Sequence, residues 1–312
     1  ARPGDSLEFM VSSEEGEFDV AMVRLFQVDE RPCAPPYREQ VVAADCAGRY
    51  PGRKKRLVTG SYLRIANHEL LESTSFTLTA WIYPTTAGRG RQGLFGKGVC
   101  AGGSGYELLI SEAGRLRFAL GRPSGGALVL EGTQRLEKAW YFIAAGYDSS
   151  SGRTFIWQKR RSEIAPHLSA ADVADSASAA GEAMPSNRAD LLLGALHAAD
   201  SAEVPSCFNG KIGGPAVYHR ALSPAEITAL YESRSIDCAG LAARWDLAAH
   251  PFGTSIPDRS RNGLDARAVN HPMRAVTGAR WDGSAAHFLM KPAHYAAIYL
   301  HEDDLADAGD RK

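Results

Sequence analysis

A chain of 312 residues that is 45% apolar and 23% charged can bury a sizeable core, which excludes disorder as a description of the whole. Thirty-five Lys and Arg against 36 Asp and Glu give a formal charge of -1, so no net field gathers phosphate backbones or an anionic membrane, and neither nucleic acid nor membrane is expected as a partner. Five widely spaced cysteines form no C-x-x-C pair and no run of about 18 apolar residues occurs, so the expectation is a protein of a reducing, cytoplasmic compartment, with the non-Met start leaving a removed leader open.

Strands dominate the chain order. Ser6 to Val11 and Phe18 to Phe26 alternate apolar and polar residues around Glu14-Glu15-Gly16-Glu17, a pattern that predicts a hairpin. A Pro- and Gly-rich basic arm follows to residue 60, with Arg53, Lys54, Lys55 and Arg56 in a row, a solvated strand entry or an interface patch. Short strands are then predicted at Tyr62–Ile65, Phe76–Tyr83, Gly93–Gly96, Tyr106–Ile110, Leu116–Leu120, Leu128–Leu130, Trp140–Tyr147, Phe155–Lys159 and Leu191–Leu193, without amphipathic helices between them. That spacing predicts an antiparallel sandwich and disfavours a βαβ fold. Ala170 to Gly181, nearly all Ala, Ser and Asp, lacks an apolar stripe and is expected to be an exposed loop or frayed helix. One short helix is expected at Ser223–Tyr231, with Ser223 as cap, Pro224 in the first turn, Glu226 three residues on, and Ile227, Leu230 and Tyr231 inward.

Three stretches together resemble a concanavalin-A-like, laminin-G-like jelly roll. They are Phe76 to Pro84, Trp140 to Gly152, and Phe208-Asn209-Gly210-Lys211-Ile212-Gly213-Gly214 leading to Tyr218, Arg220 to Ser223 and Glu226-Ile227. The resemblance implies an all-β sandwich over residues 61–290, with the helix plugging one open end and an N-terminal β-hairpin ahead of it. Leu241 to Asp246, Asp258 to Gly263 and Val276 to Gly283 resemble opening strands of such a domain although they follow the helix; they could begin a second partial sandwich, but the remaining length is short for another core, so residues 240–290 are expected to complete the same sandwich, as in a circular permutation.

The ends extend the match. Arg2 to Phe9 with Val23-Arg24-Leu25, and Tyr295 to Ile298 with His301 to Leu305 and Asp307-Ala308-Gly309, resemble the amino-terminal part of the N,N-dimethylformamidase large (beta) subunit family. The resemblance implies hydrolysis of N,N-dimethylformamide or a related small amide to amine and formate at an iron site, with a small partner subunit and a hetero- or homo-oligomer. In the family the metal ligands and catalytic groups follow the Asp-Ala-Gly segment, so no catalytic residue and no cofactor is carried over to this chain, which is expected to act as scaffold and interface. A carbohydrate-binding, lectin-like module is the alternative, yet Trp81, Trp140 and Trp157 lie in apolar strand runs where core packing is expected.

Other motifs carry less chemistry. Gly88-Arg89-Gly90-Arg91-Gln92-Gly93 fits G-x-G-x-x-G but is followed by strand residues, with no helix terminus for a pyrophosphate. His68-Glu69-Leu70-Leu71-Glu72 ends in Glu where a zinc-protease helix needs His, and no predicted strand carries the facing carboxylate pair of a jelly-roll glycosidase. Asp246, Asp258 and Asn262 are weak candidates for calcium, with simple turn formation as the competing role. The tail of residues 291–312, with His294, His301, Glu302, Asp303, Asp304 and Asp307, is expected to be an acidic connector and interface towards a following domain.

Overall fold

Antiparallel pairing organises the chain. The computed structural model describes residues 9, 11–27, 31, 33–54, 60–161, 174–183, 185–198, 206–232, 239–279 and the backbone of 297–300. They fall into two units, Ala1–Val58 and Thr59–Lys312.

In the first unit β1 (Glu17–Val20) pairs with β4 (Gly48–Pro51), and β2 (Met22–Gln27) pairs with β3 (Arg38–Val42). The N-terminal hairpin is therefore present with a different second strand. Phe18 to Phe26 pairs with the stretch expected to be a linker, while Phe9 and Val11 lie outside any strand and most of Ser6 to Val11 falls outside the described residues. The β-forming residues Val41, Val42 and Tyr50 are spaced for pairing but diluted among polar neighbours, and Pro35 and Pro36 sit in the β2–β3 connection, where a missing N–H costs no ladder bond.

In the second unit one sheet has the order β10 (Ala127–Arg135), β9 (Arg115–Gly121), β8 (Tyr106–Ile110), β7 (Gln92–Lys97), β14 (Leu191–Leu193), β5 (Tyr62–Ile65), β18 (Ala266–Val269), β17 (Ser255–Ile256). The other runs β13 (Asp175–Ala180), β12 (Arg153–Arg160), β11 (Tyr141–Asp148), β6 (Phe76–Pro84), β15 (Gly210–Tyr218), β20 (Ala297–Leu300), β19 (Met273–Val276), with β16 (Leu241–Arg244) also on β15. The fold is all-β, a concanavalin-A-like jelly-roll sandwich with one α-helix among the described residues. Segment 241–279 supplies strands to both sheets: β16 lies beside β15, and β18 lies beside β5.

Period-two alternation builds the core. Leu63, Ile65, Leu108, Ile110, Leu116 and Phe118 of one sheet meet Leu78, Ala80, Ile82, Ile143 and Ala145 of the other in one buried cluster that also takes in Phe208, Ile212 and Trp245. Burying each large side chain of this kind contributes about 1.5–3 kcal/mol. Gly210 is needed where β15 crosses β6, because a Cβ there falls 2.2 Å from the Tyr83 carbonyl oxygen.

The opposite faces of β6, β11 and β12 bury a second apolar layer. Helix α1 (Pro224–Tyr231) lies over Phe142, Ala144, Phe155 and Trp157, with Ile227 buried and Trp81, Leu230 and Tyr231 partly so. The helix thus covers a sheet face instead of plugging an end, and Trp81 and Trp157 pack beneath it, outside the inter-sheet core. Trp140 packs separately with Ala279, Trp81 and Tyr83. Successive residues of a strand point to opposite faces, so an unbroken apolar run supplies both layers and its sequence does not say which tryptophan enters which. Ser223 caps the helix with its side chain on the Glu226 N–H, and Glu226 returns to the Ser223 N–H at 2.8 Å, completing a capping box.

Candidate functional site

The outward faces of β8, β9 and β10 form a groove of about 730 Å³. Tyr106, Leu108 and Ile110 point into the core, which turns Glu107 and Leu109 outward, and the same alternation presents Arg117, Ala119, Val129 and Glu131. The Glu107 carboxylate is buried and ion-paired with Arg91, and Ser111 Oγ donates to Glu131 Oε1 at 2.6 Å. Cys100 also lines the groove, its thiol donating to the Ala119 carbonyl at 3.4 Å. Burial, reinforced by the Glu107 charge, pushes that thiol up to about 12, so it is no thiolate nucleophile at neutral pH. Among the described residues the lining holds no Trp, Tyr or Phe. Such a groove offers paired charges and hydrogen bonds to a polar ligand, and no stacking platform.

A second polar cluster sits where three connections meet beside β5, β7 and β14. Lys97 has 0% exposure, and its Nζ donates to Asn67 Oδ1 and to the Ala189 carbonyl at 2.6 Å. Asn67 in turn donates its backbone N–H to Asp190 Oδ1 at 2.9 Å and its amide to Glu72, while Arg64 pairs with Asp190. Burial lowers the Lys97 ammonium to about 8, against the raising influence of Glu72 and Asp190. A short 3-10 turn, Glu69–Leu71, is capped by His68 Nδ1, which accepts from the Leu70 N–H, so the His68–Glu72 motif closes a turn. The sequence reading missed this cluster and the Arg91–Glu107 pair. Lys97 stands in a strand whose Gly93-Leu94-Phe95-Gly96 run gave no sign that a charge is buried at its end.

The calcium candidates are occupied by the protein itself. Asp258 accepts from the N–H groups of Arg244 at 2.9 Å, Ser260 at 2.8 Å and Leu264 at 3.0 Å, and from the Ser260 hydroxyl. Asp246 is held by Arg259 at 2.7 Å and by the N–H groups of Ala248 and Ala249. Asn262 donates its amide to the carbonyls of Leu241 and Ala242. Burial acts to raise both carboxyl groups, but these donors outweigh it and hold both below the ordinary aspartate range. The three residues close a loop around Trp245, whose indole N–H reaches the Leu264 carbonyl at 2.7 Å. Nearby, the Arg274 guanidinium donates to the carbonyls of Ala249, His250, Gly253 and Ser255, fixing a turn that leaves the Phe252 ring fully exposed.

Among the described residues no three His, Cys, Asp or Glu side chains group as metal ligands. Of the interface candidates, Arg53 is exposed and Lys54 is exposed and paired with Glu14, whose carboxylate raises the ammonium pKa through a hydrogen bond. Lys55, Arg56, His301, Glu302, Asp303, Asp304 and Asp307 lie outside the described residues. Gly88 to Arg91 form the β6–β7 turn. No helix among the described residues is long and apolar enough to cross a membrane.

Two packed antiparallel sheets with a groove across one outer face define a β-sandwich of the concanavalin-A-like class, and residues 57–157 match the laminin-G profile described as the concanavalin A-like lectin/glucanases superfamily. Over 98% of its length the chain is related to the N,N-dimethylformamidase beta subunit of Paracoccus aminophilus, at 33% identity, and over 97% to that of an Alcaligenes species, at 32%. It spans less than half of these relatives, 43% and 42% of their respective lengths. Among solved structures, the CBM40 module of the Ruminococcus gnavus IT-sialidase bound to α2,3 sialyllactose aligns at 17% identity and a TM-score of 0.40, covering 52% of this chain and 84% of that one. The LG1-3 region of the laminin α2 chain aligns at 16% identity and 0.37, covering 53% and 32%.

Proposed function

We propose that this chain is the non-catalytic β-sandwich portion of an N,N-dimethylformamidase-like amide hydrolase. In this reading it serves as scaffold and interface for the rest of the large subunit and for a small subunit in a hetero-oligomer. The observation that carries the reading is the extent of the kinship: it runs through 98% of this chain and stops short of half the relative. The chemistry of the groove supports it, since the Cys100 thiol is held protonated and the Glu107 carboxylate is tied to Arg91. Conversion of N,N-dimethylformamide or a related amide to amine and formate, and the iron it uses, then belong to the remainder of the subunit. The free thiols of Cys33 and Cys46, both exposed, support a reducing, cytoplasmic setting.

Dimethylamine release measured for the 312-residue chain with added iron, and for the intact subunit assembled with its small partner, tests the proposal. Turnover is expected from the assembly alone, and turnover by the isolated chain well above an iron-only blank would overturn it. A lectin-like role rests on the groove beside β8, β9 and β10. Saturable binding of an oligosaccharide there, lost on Arg117→Ala, would favour that role.

A further inference from the structure

We infer that the β2–β3 ribbon of the N-terminal unit is a clamp that inserts, with both of its faces covered, into the part of the beta subunit that lies beyond this chain. The inference rests on the proposed function and goes past it by naming the surface.

A two-stranded ribbon has no interior, and alone in water it is at best marginally stable. Here it also carries apolar side chains on both sides. The register sets Val23 opposite Val41, and Leu25 two residues along shares their face. Met22, opposite Val42, and Phe26 occupy the other face. Val41 is 69% exposed, Leu25 55% and Phe26 50%, and Met22 and Val23 are exposed as well. Apolar residues scattered singly over a surface are ordinary, but five on one short ribbon, split between its two faces, form a patch that marks a contact. Because the faces point in opposite directions, one flat partner cannot cover both; the ribbon needs a cleft or two flanking elements.

The occupant follows from the size of the relatives. The similarity extends over 98% of this chain, while 57% of the relative's length (100% less the 43% that the chain spans) lies beyond the match. Apolar docking of a ribbon onto that remainder fixes it without any new strand pairing. The polar residues of the ribbon suit its rim: Arg38 lies over the Phe26 ring at 5.1 Å, and Tyr37 donates to Glu39 at 2.5 Å, which leaves polar groups satisfied around the apolar centre.

The test uses the intact beta subunit assembled with its small partner. A benzophenone photo-cross-linker replaces Val41 in one variant and Phe26 in another, one for each face, and the linked peptides are identified by mass spectrometry. Both are expected to join residues beyond Lys312 of the same polypeptide. Amide hydrogen exchange in the ribbon is expected to be slower by about 100-fold in the intact subunit than in the 312-residue chain, as for backbone moved from a fraying element into a packed one. Cross-links to a second copy, to the small subunit or to residues 60–312, or equal exchange in both forms, would overturn the inference while leaving the proposed function intact. A reading frame that ends at Lys312 in an active amidase would instead defeat the proposed function itself.

Discussion

Replacing Asp258 by Ala should lower the stability of the sandwich by about 3 kcal/mol. The carboxylate satisfies three backbone N–H groups, those of Arg244, Ser260 and Leu264, as well as the Ser260 hydroxyl. Leaving a buried donor unsatisfied costs about 1–3 kcal/mol, and the lower figure applies to each of three part-buried groups, the N–H groups of Ser260 and Leu264 and the Ser260 hydroxyl, while the exposed Arg244 N–H returns to water. For a unit of this size about 3 kcal/mol corresponds to a fall in Tm of about 6–12 °C. Asp258→Asn keeps the shape but turns an amide N–H₂ towards N–H donors, and should lose about 2 kcal/mol. The native carboxyl is held below its ordinary range, so its contribution is full above the unfolded aspartate pKa and is lost as the pH falls through the depressed native value. Asp258→Asn should therefore lack that part of the acid limb of the wild-type stability curve. Thermal melts monitored by tryptophan fluorescence, with and without calcium, read all of this. A Tm for Asp258→Ala within about 2 °C of wild type, or a calcium-induced rise in the wild type that vanishes in the variant, would refute the assignment of Asp258 as a loop lock.

Ser223→Ala breaks the capping box of α1 and should cost about 1 kcal/mol, read as a drop in Tm of about 2–4 °C. Glu226, held to about 2 by its hydrogen bond to Arg220 and the donors of Ser223, contributes fully above its ordinary 4.5 and loses its effect as pH falls towards 2. Allowing for solvent screening at this partly exposed site, urea midpoints of Glu226→Gln should be flatter across that window by on the order of 1 kcal/mol. Lys97 presents the reverse case: with a native pKa of about 8 against 10.5 unfolded, the unfolded chain holds the extra proton between those values, so the Lys97 contribution makes stability rise with pH there. Lys97→Met should remove that rise in a wild-type-minus-variant comparison of urea midpoints at pH 7.5 and pH 10. Alkylation of the native protein at pH 8 followed by peptide mapping should label exposed Cys33 and Cys46 and spare buried Cys100 and Cys207, and labelling of Cys100 as fast as Cys33 would contradict its raised pKa.

The strands that build the core were legible because their residues reveal burial directly. The runs Phe76-Thr77-Leu78-Thr79-Ala80-Trp81-Ile82 and Tyr141-Phe142-Ile143-Ala144-Ala145 became β6 and β11, and the Ser223–Glu226 spacing marked the start of α1. What escaped were elements held by polar contacts. The stretch expected as a loop or frayed helix contains β13, an edge strand of Asp, Ser and Ala that pairs with β12 and needs no apolar stripe of its own. The pairing of the N-terminal arm escaped because local composition does not specify a partner strand 20 or more residues away. At the candidate site, the outward residues of β8, β9 and β10 could be enumerated by alternation, but the partners of the buried charges could not: Glu107 is met by Arg91 and Lys97 by Asn67 and Ala189, from other parts of the chain.

Asp175 does more than begin β13. Its carboxylate accepts from the N–H groups of Thr133 and Gln134 at 2.9 Å each and from the Thr133 hydroxyl at 2.9 Å, joining β13, the edge strand of one sheet, to β10, the edge strand of the other. The β10–β9 register shifts between Glu131 and Arg135, the interval from which those two N–H groups turn to the carboxylate. One side chain thus occupies hydrogen-bonding capacity that open β-edges otherwise offer to any extended peptide, so this flank of the sandwich resists edge-to-edge association between molecules. The pairing capacity of two opposed sheet edges is thus taken up, at this point of the seam, by a single acidic residue.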